Sequence, residues 1–244
     1  MNALKNLKIK IFADGADLKG IEEMRAKEWI KGFTTNPSLM RQAGVKDYMK
    51  FAKDALAIVQ DKPISFEVFA DDFFEMEEQA LEIASWGPNV YVKIPVTNTK
   101  GQFAGQLIQR LSEADVKLNI TALFTLEQVK MVMDNLINET PAIISIFAGR
   151  IADTGSDPAM IMQKALTLLE PKKNAELLWA SPREVFNLIQ ADDVGCHIIT
   201  VSNDLLKKVH LLGKDLNEFS LETVKMFYKD AVESDYTITC KLSQ

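Results

Sequence analysis

The chain has 244 residues, 47% of them apolar and 25% charged, with a formal net charge of -6. That length suits one α/β barrel or two small domains with a sizeable core. The acidic balance argues against nucleic acid or an anionic membrane as partner, so an anionic ligand needs a local basic pocket.

Two cysteines, Cys196 and Cys240, have neither CxxC nor metal-like spacing, which speaks for a reducing compartment rather than a disulfide framework. Met1 to Lys10 hold three lysines and no apolar core, unlike a secretory signal. No apolar stretch nears the ~18 residues needed to span a bilayer. The expected location is the cytoplasm.

Short apolar runs read as strands near 8–13, 31–35, 63–69, 90–96, 116–122, 142–147, 175–180 and 196–201. Amphipathic stretches at 17–30, 47–60, 72–85, 102–113, 125–136, 157–169, 183–190 and 203–211 read as helices. One βα unit per ~30 residues is what right-handed crossovers require. Eight such units in a chain of this length predict an α/β fold closed as a (β/α)8 TIM barrel. An open doubly wound sheet is the alternative. It would normally carry a Gly-rich first turn for a nucleotide, and Ala13-Asp14-Gly15-Ala16-Asp17 is not one.

No linker or low-complexity block divides the chain, so residues 1–244 read as a single barrel domain. An additional C-terminal helix is expected over about 220–234. Ser220 can cap it, and Leu221, Val224, Phe227, Tyr228 and Val232 form one apolar stripe. That helix either closes the barrel floor or packs on a neighbouring subunit.

Lys93 lies inside Val90-Tyr91-Val92-Lys93-Ile94-Pro95-Val96, a β-branched and aromatic run that reads as a buried strand. A lysine in such a place sheds hydration, which disfavours the ammonium form and favours the amine that attacks a carbonyl. The plainer alternative is a lysine with its head in water.

In a barrel, polar side chains at the carboxyl ends of strands face the mouth, where active sites form. Here almost every predicted strand supplies one. Asp14 closes the first, Asn36 follows the second, Glu67 is late in the third and Lys93 in the fourth. Asn119 and Thr121 share a face of the fifth. Ser145 and Phe147 share a face of the sixth, with Arg150 in the next loop, while Ser181 ends the seventh and Arg183 follows. Singly, each has an ordinary role as cap, core partner or solvated charge. Converging on one barrel face, they would be costly to bury unless they pair with each other or a ligand.

Only two histidines occur, His197 and His210, and barrel hydrolases that depend on a metal need several. A buried lysine beside carboxylates suits imine chemistry on a ketone, the iminium serving as electron sink. Arginines and serines near the sixth and seventh strands suit a terminal phosphate. The residues alone thus describe a Schiff-base enzyme for phosphorylated carbonyl compounds.

The segments Phe33-Thr34-Thr35-Asn36-Pro37-Ser38-Leu39, Val92-Lys93-Ile94-Pro95, Asn119-Ile120-Thr121-Ala122-Leu123-Phe124 and Ser145-Ile146-Phe147-Ala148-Gly149-Arg150 resemble the transaldolase family. The likeness runs from about Phe12 to Ser202, and four motifs in order make it specific. The resemblance implies a (β/α)8 barrel that transfers a dihydroxyacetone unit between sugar phosphates in the pentose phosphate pathway. Fructose 6-phosphate and sedoheptulose 7-phosphate are the family's donors, erythrose 4-phosphate and glyceraldehyde 3-phosphate its acceptors.

By the same resemblance, Lys93 forms the Schiff base and Asp14 takes the proton of the hydroxyl whose carbon–carbon bond breaks. Glu67 and Thr121 hold the water that assists imine formation. Asn36 and Asn119 bind hydroxyls of the retained three-carbon unit, with Ser145 nearby. Arg150, Ser181 and Arg183 match phosphate-binding positions. No cofactor or metal is implied.

The chain departs from the family after its first-strand aspartate, where a small or hydroxyl residue and then Ala-Asn is usual and Gly15-Ala16-Asp17 stands here. Ile146 replaces a more frequent proline. The short chain and C-terminal helix resemble the small-transaldolase branch, whose members form homo-oligomeric rings, so a pentamer or decamer is expected.

The nearest rival is a fructose-6-phosphate aldolase, which tends to have glutamine where Glu67 stands and tyrosine where Phe147 stands. A tyrosine hydroxyl can protonate the enamine, and phenylalanine cannot. A barrel that only binds sugar phosphates and a deoxyribose-phosphate lyase are the remaining alternatives.

Overall fold

The computed structural model describes Leu4, residues 6–137 and residues 139–238; Cys240 lies outside them. Two compact units meet in sequence at Val209 and His210.

The first unit is built on eight strands: β1 (Lys10–Asp14), β2 (Ile30–Thr34), β3 (Ile64–Glu67), β4 (Val90–Pro95), β5 (Leu118–Leu123), β6 (Ala142–Ile146), β7 (Ala175–Trp179) and β8 (Ile198–Ser202). Each pairs in parallel with its chain neighbour, and β8 pairs with β1. The barrel is closed, so no strand edge is left unpaired. Between the strands run α1 (Leu18–Arg25), α2 (Pro37–Gln42), α3 (Tyr48–Val59), α4 (Phe73–Ser85), α5 (Gly105–Glu113), α6 (Leu126–Asn135), α7 (Ala148–Asp153), α8 (Pro158–Leu169), α9 (Phe186–Val194) and α10 (Asn203–Leu206). This is the predicted (β/α)8 TIM barrel.

Local chemistry sets the boundaries. Thr125 and Gln128 form a reciprocal capping box that starts α6. Asp157 caps α8, whose first residue is Pro158. Residues 17–30, expected as one helix, end theirs at Arg25. Ile30 N then donates to Lys27 O at 3.1 Å in a turn that delivers the chain to β2. The 203–211 helix also breaks, into α10 and a separate turn of 3-10 helix.

Inside the barrel, Phe12, Ile143, Leu178, Ala180 and Ile198 form a buried cluster, with Tyr91 and Phe147 packed against it. Phe12 lies opposite Gly32 in register. A Cβ on Gly32 would stand 2.5 Å from the Phe12 ring, so the missing side chain is what admits the ring. This apolar plug fills the barrel and leaves chemistry to the residues nearer its carboxyl end.

The second unit is dominated by α11 (Leu216–Glu233). It starts four residues before the expected boundary and is capped by Asp215, not Ser220. The Asp215 carboxylate accepts from Asn217 N at 3.0 Å and Glu218 N at 2.9 Å. A carboxylate serves a helix start well because the terminus carries positive partial charge. Lys214 pairs with Glu222 and lies over the Phe219 ring, 5.0 Å from its centroid. No helix of the described residues is long and apolar enough to cross a membrane.

Candidate active site

A cavity of ≈ 410 Å³ opens at the carboxyl ends of the strands. Ten of the eleven residues singled out by sequence line it: Asp14, Asn36, Glu67, Lys93, Asn119, Thr121, Ser145, Phe147, Arg150 and Ser181.

Lys93 is the fourth residue of β4, in register with Glu67 on β3 and Asn119 on β5. It is only 8% exposed. Its Nζ lies 3.1 Å from Glu67 Oε2 and donates to Thr35 O at 3.2 Å. The Glu67 backbone is tied as well: Tyr48 on α3 donates its hydroxyl to Glu67 O at 2.9 Å. Burial raises the Tyr48 phenol, which keeps it a neutral donor.

Asp14 ends β1. Its Oδ1 accepts from Thr34 Oγ1 at 2.8 Å, and its Oδ2 lies 3.5 Å from Asn36 Nδ2. Burial pushes its carboxyl above the ordinary value; the Lys93 charge and the Thr34 and Asn36 bonds pull it back, while Glu67 pushes it up. A carboxyl so placed can accept a proton from a substrate hydroxyl more readily than a solvated one. The cap of α1 is Asp17, which accepts from Gly20 N at 2.9 Å, so Asp14 is not used as a cap. Asn36 does cap α2 through Oδ1, leaving its amide nitrogen toward Asp14 and the cavity.

Asn119 sits in a row of hydroxyls. Its Nδ2 donates to Ser65 Oγ at 2.9 Å, and its Oδ1 accepts from Ser145 Oγ at 2.7 Å. Thr121, two residues on, is the contrasting case: its Oγ1 is buried with no protein hydrogen-bond partner among the described residues. The register of β5 against β6 slips between Ile120 and Leu123, and Ala122 has φ 62°. Such left-handed backbone in a non-glycine residue costs about 1–3 kcal/mol and is characteristic of sites where geometry serves function.

The anion-binding candidates separate. Arg150 is exposed, its guanidinium 4.9 Å from the Phe147 ring centroid, and it has no ion pair among the described residues. Ser181 follows β7 with φ 60°. A Cβ on Gly149 would collide with the Ser181 carbonyl oxygen, so only glycine lets α7 and the Ser181 loop approach and bring Arg150 beside the serine. Arg183 is not among the cavity residues. Its Nε donates to Asp153 Oδ1 at 3.1 Å and its Nη2 pairs with Asp153 Oδ2.

Sequence reading does not single out Thr34 and Thr200, buried hydroxyls that line the cavity, Ser65, buried behind Asn119, or Tyr48. Other reactive types are occupied elsewhere. Burial pushes the Cys196 thiol up to about 12, so it stays protonated. His197 Nδ1 accepts from Leu177 N at 2.9 Å, and burial lowers its imidazole. No group of three or more His, Cys, Asp or Glu among the described residues could hold a metal ion.

Residues 11–238 match the family model described as Transaldolase/Fructose-6-phosphate aldolase. A protein named "Probable transaldolase" from Thermoanaerobacter sp. is 32% identical over 224 residues, 91% of this chain and 98% of that relative. One of the same name from Streptococcus equi subsp. zooepidemicus is 34% identical over 202 residues, 82% and 90% of the two chains. The crystal structure of KGPDC from Streptococcus mutans covers 82% of this chain and 89% of its own, with TM-score 0.54 and 13% identity. That last likeness is one of fold alone. With its strand-end lysine and carboxylates and a family match spanning most of its length, the chain belongs to the transaldolase/fructose-6-phosphate aldolase family.

Proposed function

We propose that this chain is a transaldolase, moving a dihydroxyacetone unit from fructose 6-phosphate or sedoheptulose 7-phosphate to erythrose 4-phosphate or glyceraldehyde 3-phosphate. The observation that carries the reading is the buried Lys93 amine, 3.1 Å from Glu67 in a cavity that also holds Asp14.

The amine gives up a proton toward Glu67 and adds to the donor's ketone carbon. Loss of the carbinol oxygen as water, held at Glu67 and Thr121, leaves the iminium. Asp14 removes the proton from the hydroxyl at the bond to be cut. That carbon–carbon bond breaks, the aldehyde departs, and the electron pair enters the iminium to give an enamine. The acceptor aldehyde takes the enamine's electron pair, Asp14 returns its proton, and water releases the new ketose.

Asn36, Asn119 and Ser145 hold the three-carbon unit. Arg150 and Ser181 receive the phosphate; with Arg183 held by Asp153, Arg150 is the guanidinium better placed for it. Phe147 supports transfer over release, because a phenyl ring has no proton to give the enamine.

The test is a coupled assay of fructose 6-phosphate with and without erythrose 4-phosphate, plus borohydride reduction with the donor alone. Product only with acceptor present and a mass adduct on Lys93 are expected. Absence of the adduct would leave a barrel that merely binds sugar phosphates.

A further inference from the structure

β1 is bonded to β2 on one side and to β8 on the other, so closure sets strands from opposite ends of the barrel sequence beside Asp14. Each flanking strand turns a threonine hydroxyl inward. Thr34 Oγ1 lies 2.8 Å from Asp14 Oδ1 and 2.5 Å from Thr200 Oγ1. Both threonines are buried, and both line the cavity.

Each hydroxyl carries one proton, and an ionised carboxylate only accepts. Thr34 therefore commits its proton to Asp14, and its oxygen can meet Thr200 only as acceptor. The charge on Asp14 thus sets the direction of the chain: Thr200 donates to Thr34, and Thr34 to Asp14. Once Oδ2 has gained a proton, Oδ1 is a neutral carbonyl oxygen that still accepts from Thr34, so the chain keeps its direction and its bonds weaken. The two hydroxyls thus favour the ionised carboxylate over the neutral acid. Among the described residues Oδ2 has only the long Asn36 contact, so it is the oxygen open to an incoming substrate proton.

We propose that Thr200, acting through Thr34, is a positioning residue that holds Asp14 ionised and directs its Oδ2 toward the substrate. The role in catalysis rests on Asp14 being the base of the reaction above. The charged groups facing Asp14 are Lys93 on β4, which favours the carboxylate, and Glu67 on β3, which opposes it; Arg150 on α7 lines the same cavity. Burial opposes the carboxylate most. Two neutral donors in series offset part of that cost without adding a charge that substrate phosphate or Lys93 would feel. Strand formation alone asks for no hydroxyl at position 200, since valine has the same shape and suits strands as well.

The experiment compares full-length protein with Thr200→Val and Thr200→Ser. The Asp14 carboxyl is titrated by ¹³C NMR after aspartate labelling, its signal assigned by its loss in Asp14→Asn. In parallel, kcat is followed against pH for transfer from fructose 6-phosphate to erythrose 4-phosphate. Thr200→Val is expected to move both the titration and the acid limb of kcat upward by about half a pH unit, as loss of one neutral donor in a two-bond chain implies. Thr200→Ser restores both. Should the valine variant not fold, Thr200→Ala gives the same readout. An Asp14 titration unmoved by loss of the hydroxyl overturns the relay. A titration that moves while the acid limb stays put upholds the relay and removes Asp14 from the role of base instead.

Discussion

The two sides of the barrel mouth hold a carboxylate each, in opposite surroundings. On the β3–β4 side, Glu67 faces a cation, with Lys93 Nζ at 3.1 Å and its own side chain 18% exposed. On the β8–β1–β2 side, Asp14 is met by neutral donors, Thr34 and Asn36, and makes no ion pair among the described residues. A carboxylate answered by a cation is suited to receive that cation's proton and orient water. One half-buried among neutral donors is suited to take and return a substrate's proton. Environment thus divides the labour between two groups of the same chemistry.

Asp14→Asn should break the comparison hardest. The amide can still accept from Thr34 but cannot act as base, so transfer should fall by about 10²–10⁴. The borohydride adduct on Lys93 should survive, because the proposed mechanism gives imine formation to the other side. Stability should move the opposite way. The folded carboxyl lies above its ordinary 3.8, so the folded state binds more protons than the unfolded one just above that pH. Stability from this group is therefore full below 3.8 and lost as pH rises through the folded value. The asparagine variant should melt higher than the parent at neutral pH, with the gap closing on acidification, as calorimetry across pH would measure. A gap that widens toward acid would contradict the assignment.

Phe147→Tyr combined with Glu67→Gln tests the β3–β4 side. It removes the carboxylate that answers Lys93 and places a hydroxyl where the enamine forms. The ratio of free dihydroxyacetone released to unit transferred should rise, roughly tenfold if the new donor supplies about 1.4 kcal/mol in the protonation step. An unchanged ratio in product analysis would mean that neither position decides between transfer and release.

How far these two sides can be read in advance depends on whether the physics acts locally. Strand runs of β-branched residues announce themselves, and the eight predicted runs lie within about two residues of the observed bounds. Strand-end polar residues are legible because a barrel has a chemical end. The short helices α2 and α7 are not, since six residues are too few to show a period. Ser220 is the expected cap of the last helix, although Asp215 has Glu218 three residues on, a pattern that marks helix starts. Thr200 reads as an ordinary strand former, and only closure of β8 onto β1 makes it a neighbour of Asp14. The grip of Asp153 on Arg183 spans 30 residues, from the end of α7 to the loop after β7, and leaves no mark in either segment.

The smallest effect distinguishes scaffold from chemistry on the Lys93 side itself. Thr121 is in register with Pro95 on β4, and its buried hydroxyl has no protein partner among the described residues. No protein hydrogen bond is lost when it is replaced by an apolar group of the same shape, so the fold should not weaken. Thr121→Val is expected to leave stability within about 0.5 kcal/mol of the parent in denaturant titration. On the proposed mechanism the same change removes a holder of the water released and consumed at Lys93. Imine formation, followed by quenched-flow borohydride trapping, should slow roughly tenfold, or about 1.4 kcal/mol. The proton step at Asp14 should keep its pH dependence. A valine variant that is less stable and forms the imine at the parent's rate would assign the hydroxyl to the scaffold and leave Glu67 alone with the water.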